Sequence, residues 1–361
     1  MPLPKLPLVT TSLPRSGSTP RSGTAVPLVG TAVPLVDTFG RIHDSLRVSV
    51  TDRCNIRCFY CMPQDQVKFL PRSDILRFEE IESLVRVFAA CGVSKIRLTG
   101  GEPLVREGLP HLVTLLKAVP GIHEVALTTN AVTLEQHAAA LHQAGLDRLN
   151  ISLDALSRET FVQITRRDVL DRVLAGIAAA QAVGFQRIRL NAVAIRGLSE
   201  AEILPLAYFA LERDLELRFI EFMPLDSDQG WAGDKVLTGP EILRLIEQEF
   251  GPVEAAPRPD PAQPAQDYLF AHGRGKLGLI HPVSQPFCGT CNRLRLTAEG
   301  RLRNCLFSTE EWNLRDALRG GQPLTEIEAL IRTCVQAKWA GHLIGQPLFE
   351  RPLRTMHQIG G

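Results

Sequence analysis

From residue 46 onward the chain alternates two kinds of hydrophobic pattern. Short β-rich runs stand at 46–51 (LRVSVT), 95–99 (KIRLT), 124–129 (EVALTT), 148–153 (RLNISL), 187–195 (RIRLNAVAI) and 216–223 (ELRFIEFM). Amphipathic stretches lie between them; Ile81, Leu84, Val85 and Phe88 carry the i, i+3, i+4, i+7 spacing of one buried helix face. Six strand-then-helix units with nearly continuous apolar strands predict a parallel sheet. The polar residues choose its arrangement. Cys54–Cys61, Gly100–Pro103, Thr128–Asn130, Ser152–Asp154 and Met223 all fall at or just beyond a strand's end, the rim where a parallel barrel collects its chemistry. The fold predicted is α/β: an incomplete parallel (βα) TIM-type barrel of about six units with a C-terminal α+β domain.

Punctuation along the chain sets the domains. Residues 1–36 read as a disordered N-terminal extension, rich in proline and carrying a tandem copy of GTAVPLV at Gly23–Val29 and Gly30–Val36. A proline and a glycine in each copy exclude a coiled coil, and prolines at 2, 4, 7 and 14 interrupt any apolar leader. The barrel domain is expected over 37–254, a Pro/Ala linker over 255–266 (AAPRPDPAQPAQ), and the C-terminal domain over 267–361. That last part predicts a hairpin near 268–271 and 277–281 and a helix near 325–338. The helix buries Ile327, Leu330, Ile331, Cys334 and Val335, so Cys334 is a core residue, as is Cys91.

Charge narrows the partners. Forty Lys+Arg against 39 Asp+Glu leave +1, so no global field draws the chain to nucleic acid or an anionic membrane. A polyanionic ligand must be held by a local arginine cluster. No run of 18 apolar residues is present, which argues against a membrane span. Six of the eight cysteines fall in two tight groups, a pattern of metal ligation in a reducing compartment, and a cytoplasmic location is expected.

Cys54-x3-Cys58-x2-Cys61 supplies three thiolates after the first strand, where a closed zinc site wants four ligands. Three suit a cubane iron–sulfur cluster with one iron left open. An open iron can chelate the amino and carboxylate groups of S-adenosylmethionine. Cys288-x2-Cys291-x13-Cys305 repeats the arithmetic; on spacing alone, zinc completed by His281 stands level with iron–sulfur. Arg293 and Arg295 come next at i, i+2, on one face if the segment is extended, and guanidinium forks suit a triphosphate. Gly273-x-Gly275-x-x-Gly278 matches the dinucleotide pattern, but Lys276–His281 reads as the second arm of a hairpin rather than a helix, and no P-loop is present.

These motifs together resemble the GTP 3′,8-cyclase family of the radical S-adenosylmethionine superfamily, from about Phe39 to Gly361. They are LRVSVTDRCNIRCFYCMP, IRLTGGEPLVR, LTTN, NISLDAL, FIEFMP, FCGTCNRLRLT, LRNCLFS and the terminal Gly360-Gly361. The resemblance implies a radical enzyme that cyclises GTP to (8S)-3′,8-cyclo-7,8-dihydroguanosine 5′-triphosphate through a 5′-deoxyadenosyl radical, the first step of molybdenum cofactor biosynthesis. It implies two [4Fe-4S] clusters, one on Cys54, Cys58 and Cys61 and one, in the C-terminal domain, on Cys288, Cys291 and Cys305. Tyr60, Gly101, Ser152 and Met223 would contact S-adenosylmethionine. Arg47, Arg97, Thr128, Arg189, Arg293, Leu294 and Arg295 would contact GTP, although Arg189 stands where the family usually has lysine. Clusters and S-adenosylmethionine replace a conventional acid or base, with Gly360 and Gly361 as a tail reaching the site. Implied partners are an electron donor, the downstream cyclic pyranopterin monophosphate synthase and a second copy of the chain. Two competing classes are another radical enzyme, such as a peptide-modifying maturase, and a zinc-stabilised nucleotide-binding protein.

Overall fold

A computed structural model describes residues 33–65, 67–226, 228, 230–271, 273 and 275–360. Most of the predicted extension, residues 1–32, lies outside the described residues, as does Gly361. The six predicted strands are β1 Ser45–Ser49, β2 Lys95–Thr99, β3 Glu124–Thr129, β4 Arg148–Ser152, β5 Ile188–Ala194 and β6 Glu216–Glu221. Neighbours in chain order pair in parallel. Between them run α1 Phe78–Ala90, α2 Leu109–Lys117, α3 Leu134–Gln143, α4 Arg158–Thr165, α5 Leu170–Ala182 and α6 Ile203–Glu212, with α7 Gly239–Phe250 after β6. Period-two alternation divides each strand. Leu46, Val48, Ile96 and Leu98 join one core with Ile81, Leu84, Val85 and Phe88 of α1, while the intervening residues turn to the barrel interior.

The C-terminal part does not stand apart from this sheet. β9 Lys276–Ile280 lies parallel to β6, and β10 Arg293–Leu296 lies parallel to β1. β8 Ala265–Phe270 and β7 Val253–Ala255 extend one edge antiparallel; β11 Arg301–Arg303 and β12 Trp312–Asn313 extend the other. The order is β12-β11-β10-β1-β2-β3-β4-β5-β6-β9-β8-β7. The parallel run is thus eight strands, six from the barrel units and two contributed from beyond residue 267. Helices α8 Leu314–Arg319, α9 Leu324–Gln336 and α10 Met356–Ile359 complete the described chain.

Three sequence expectations are adjusted. Residues 33–36 are not loose: Leu35 is 1% exposed, Val36 bridges Ile42, and Arg332 and Gln336 donate to the carbonyls of Val33 (3.0 Å) and Val36 (2.7 Å). Proline and glycine exclude a helix there but not an extended strap that buries leucine. The 255–266 segment begins as the last residue of β7 and ends inside β8, so only its middle is a connection. α9 buries Ile327, Ile331, Cys334 and Val335, with Leu330 half-buried. Cys91 and Cys334 are core residues, and the glycine pattern at 273–278 runs through the β8–β9 hairpin. Among the described residues no helix is long and apolar enough to cross a membrane.

Candidate active site

One cavity runs inside the parallel strands from their C-terminal rim, where the loop after β1 lies, to the start of β10, and all six grouped cysteines line it. The first group rides on the loop after β1. That loop is tied to α4, where Arg57 and Phe59 amides donate to the carbonyls of Thr165 (2.9 Å) and Ile164 (3.1 Å). A tight turn places the amides of Cys61 and Met62 2.9 and 3.0 Å from the Cys58 carbonyl. Asn130 Nδ2 stands 3.7 Å from Cys54 Sγ. Burial, aided by Glu102, pushes the Cys54 thiol up to about 12, and burial also raises Cys58 and Cys61. Such thiols keep their protons until a cation takes their place.

The glycines after β2 hold this loop. The Gly101 and Glu102 amides donate to the carbonyls of Thr51 and Arg53, both at 2.8 Å. A Cβ at Gly101 would meet the Arg53 carbonyl oxygen at 2.4 Å, and one at Gly100 the Thr51 oxygen at 2.5 Å. Only glycine permits that approach. The sequence suggests that these glycines clear space for a ligand; their nearest neighbour is in fact the cysteine loop itself. Glu102 accepts from Thr129 Oγ1 (2.7 Å) and the amides of Asn130 (2.6 Å) and Leu104 (3.0 Å), while burial raises it to about 7. Across the cavity Tyr60 donates to Asp154 at 2.5 Å, and Asp154 also accepts from the Val193 amide at 2.8 Å. Burial lifts Asp154 to about 6, against both hydrogen bonds.

The second group faces the first across this cavity. Cys288 and Cys291 flank a short turn before β10, and Cys305 follows β11. Gly341 passes so close that a Cβ would lie 3.3 Å from Cys288 Cβ and 3.7 Å from its Sγ. Arg41 braces the turn, donating to the carbonyls of Cys288 (2.7 Å), Trp339 (2.6 Å) and Ala340 (3.0 Å) while paired with Asp37 (2.5 Å). Burial pushes the Cys291 thiol up, but Arg293 and Lys338 outweigh it and bring it down to about 6. All six cysteines are free thiols. His281, the candidate fourth ligand, lies 3.4 Å from Glu221 and does not line the cavity. Among the described residues no three His, Cys, Asp or Glu side chains converge on a point that could hold one ion. Two sets of three soft donors lining one cavity suit polynuclear clusters whose irons take one thiolate apiece.

Between the two groups stands an array of arginines. Arg295, Arg47 and Arg97 lie in register on three adjacent strands, with Arg293 opposite Ser45 and Arg218 on β6. Burial first, then the neighbouring arginines, hold Arg47 and Arg97 well below the usual arginine range; Arg295 falls to about 9 and Arg218 to about 10. Arg218 has Asp267 at 3.4 Å, and Arg293 stacks 4.8 Å from the Phe287 ring centroid. No carboxylate forms an ion pair with Arg47, Arg97, Arg293 or Arg295 among the described residues. Guanidinium does not lose its proton in proteins, so the crowding registers as a strong demand for an anion.

The C-terminal tail reaches the same place. Thr355 and Gln358 cap α10, and Met356 lines the cavity. Gly360 takes φ +81 between Ser49 and Thr99, and its carbonyl accepts from Arg295 at 2.6 Å. Arg354 pairs with Glu299 and with Glu311 (2.7 Å), and Arg351 reaches the Trp231 carbonyl at 3.2 Å.

Tyr60, Gly101, Ser152, Met223, Arg47, Arg97, Thr128, Arg293 and Arg295 line the cavity with the cysteines. Two expected GTP contacts do not. Leu294 is fully buried, because alternation along β10 turns it to the core when Arg293 and Arg295 turn inward. Arg189 pairs with Glu216, in register with Asn150, and its charge is felt by Arg97 and Arg218 of the lining. Sequence reasoning passed over Arg218, Asn150, Asn191 and His342, all in the lining. The period-two spacing Glu216, Arg218, Ile220 carried the signal for Arg218.

Residues 48–210 match the Radical SAM superfamily, and residues 215–344 match Molybdenum Cofactor Synthesis C. Over 328 residues the chain is 53% identical to a GTP 3′,8-cyclase of Rhodopirellula baltica, spanning 90% of this chain and 91% of that one. It is 44% identical to the enzyme of that name from Pelotomaculum thermopropionicum, over 90% of this chain and 99% of the relative. Among solved structures, Streptococcus suis SuiB bound to S-adenosylmethionine is similar with a TM-score of 0.56 at 15% identity, covering 89% of this chain and 77% of that one. At that identity the likeness speaks for the fold alone.

Proposed function

The chain belongs to the GTP 3′,8-cyclase family, and on that premise we propose how its residues divide the work. It is a radical S-adenosylmethionine enzyme that uses an iron–sulfur cluster and cyclises GTP in molybdenum cofactor biosynthesis. The observation that carries the residue assignment is that one cavity is lined by two sets of three thiols and by four arginines that have no carboxylate partner among the described residues. Cys54, Cys58 and Cys61 hold one [4Fe-4S] cluster; Cys288, Cys291 and Cys305 hold a second. When bound, the first cluster with S-adenosylmethionine supplies the one-electron chemistry that frees C3′ of GTP to bond to C8.

The chain's own residues bind, orient and exclude. Tyr60, Gly101, Ser152 and Met223 surround S-adenosylmethionine, with Asp154 holding the Tyr60 hydroxyl in place. Arg47, Arg97, Arg293 and Arg295, with Thr128 beside them, take the triphosphate. An anion there relieves their mutual repulsion, and fixing the substrate this way is a large part of the catalysis. Phe287, Phe307 and Met356 keep water from the mouth. Gly360 holds one guanidinium of the array by its carbonyl, which orders Arg295 before GTP arrives. The functional division follows the sequence boundaries, 37–254 for the first cluster and 267–361 for the second. An external electron donor, the cyclic pyranopterin monophosphate synthase as next enzyme, a second copy of the chain and a cytoplasmic setting complete the proposal, supported by family membership and the free thiols.

Anaerobic reconstitution with iron and acid-labile sulfide analysis tests the assignment. Two cubanes give about eight irons per chain. About four irons, unchanged by Cys291→Ala, would remove the second cluster from the account.

A further inference from the structure

Lys338 follows α9 and is 4% exposed. An ammonium has three N–H donors, and Lys338 spends all three on acceptors around the second cysteine group. They are the carbonyls of Arg293 (2.9 Å) and Asn304 (2.7 Å) and Cys291 Sγ (3.7 Å). None is a carboxylate, so among the described residues this cation has no ordinary counter-charge. Burial opposes its charge most, Cys291 and Cys305 favour it, and Arg293 and Arg41 oppose it. Arg41 braces the same turn, but Asp37 neutralises it. The acceptors also belong to separate arms. Cys291 and Arg293 lie at the start of β10, whereas Asn304 adjoins Cys305 after β11.

We propose that Lys338 is the positioning residue of the second cluster: it clamps the two cysteine arms together and donates a charged N–H···S hydrogen bond to Cys291. The inference rests on Cys288, Cys291 and Cys305 holding an iron–sulfur cluster. Hydrogen bonds to the sulfurs and nearby positive charge stabilise the reduced, more negative form. Lys338 therefore sets how easily this cluster accepts an electron as well as how firmly it is seated.

The test uses the full chain with Cys54, Cys58 and Cys61 all changed to Ser, so that only the second group remains. This parent, its Lys338→Met form and its Lys338→Arg form are reconstituted anaerobically. Iron per chain, melting temperature and an electron paramagnetic resonance redox titration are measured on each. Lys338→Met is expected either to lose iron with its melting temperature unchanged, or to keep iron with a more negative potential. The second case means at least a tenfold fall in the reduced-to-oxidised ratio at fixed poise, 59 mV for a one-electron couple. Lys338→Arg should recover most of either loss. Equal iron and equal potential in Lys338→Met overturn the proposal. A melting temperature that drops in both variants along with their iron reduces Lys338 to a structural residue and also overturns it. A parent that binds no iron with Lys338 in place refutes the cluster reading itself, and the proposal with it.

Discussion

Replacing Gly360 with alanine should disable the tail without touching either cysteine group. Gly360 has φ +81, and an added Cβ would lie 2.9 Å from Ser49 Cβ and 3.3 Å from Thr99 Cγ2. The left-handed backbone costs an L-residue about 1–2 kcal/mol. Forcing a methyl into a packed contact adds about 1–3 kcal/mol. Against this, docking gains about 1.5–3 kcal/mol from the charged hydrogen bond of Arg295 to the Gly360 carbonyl. Burial of Ile359 contributes about 1.5–3 kcal/mol more. The strain is thus comparable with the docking energy, and the undocked population should rise about 30-fold or more. Gly345→Ala is the control. Gly345 has φ +80 with nothing within 4 Å of its would-be Cβ, so it carries the backbone cost alone. Hydrogen exchange across residues 356–360 should accelerate in Gly360→Ala and not in Gly345→Ala. Iron content and S-adenosylmethionine cleavage should persist while GTP cyclisation falls steeply. Unchanged exchange together with a full rate of product formation would refute the reasoning.

Deleting Gly360 and Gly361 should likewise spare the clusters and S-adenosylmethionine binding while largely abolishing cyclisation, read on the same preparation. Cys58→Ala should abolish S-adenosylmethionine cleavage, whereas Cys291→Ala should spare some cleavage and lose cyclised product, both followed by chromatography. Arg97→Ala should weaken GTP binding by about 1.5–3 kcal/mol in calorimetry. Arg189→Ala should weaken it less, because Arg189 is engaged by Glu216; equal losses would put Arg189 in the substrate site. In the metal-free chain, burial raises Asp154 from 3.8 to about 6. The folded state then holds that proton more tightly, so the stability it contributes is present below 3.8 and lost as pH rises through about 6. Between about pH 4 and 7 the wild-type melting temperature should therefore fall relative to Asp154→Asn, and parallel curves would show that Asp154 ionises normally.

The six barrel strands were legible because each is a short apolar run followed by an amphipathic helix, a local signal. β9 and β10 were not legible as barrel neighbours. RLRL at Arg293–Leu296 advertises alternation, but its pairing with β1, far away in the chain, is written in no local pattern. The same pairing explains the site. The cysteines and motif residues carried their own spacing, whereas the arginine array exists only once Arg295 and Arg47 are set side by side. Alternation turns the Leu294 side chain away from the cavity, since neighbours on a strand point to opposite faces. Arg189 was harder: it shares the inward face, and only the position of Glu216 on the adjacent strand reveals that its charge is engaged. Lys338 left no trace, because a lone lysine at the end of a predicted helix reads as solvated.

The central claim is that the cavity brings C3′ of GTP to the radical generated at the first cluster. Incubating the reconstituted, reduced enzyme with S-adenosylmethionine and GTP deuterated at C3′, then weighing the 5′-deoxyadenosine formed, tests it directly. Deuterium should appear in 5′-deoxyadenosine in step with cyclised nucleotide. Cyclised nucleotide formed alongside unlabelled 5′-deoxyadenosine would contradict the claim.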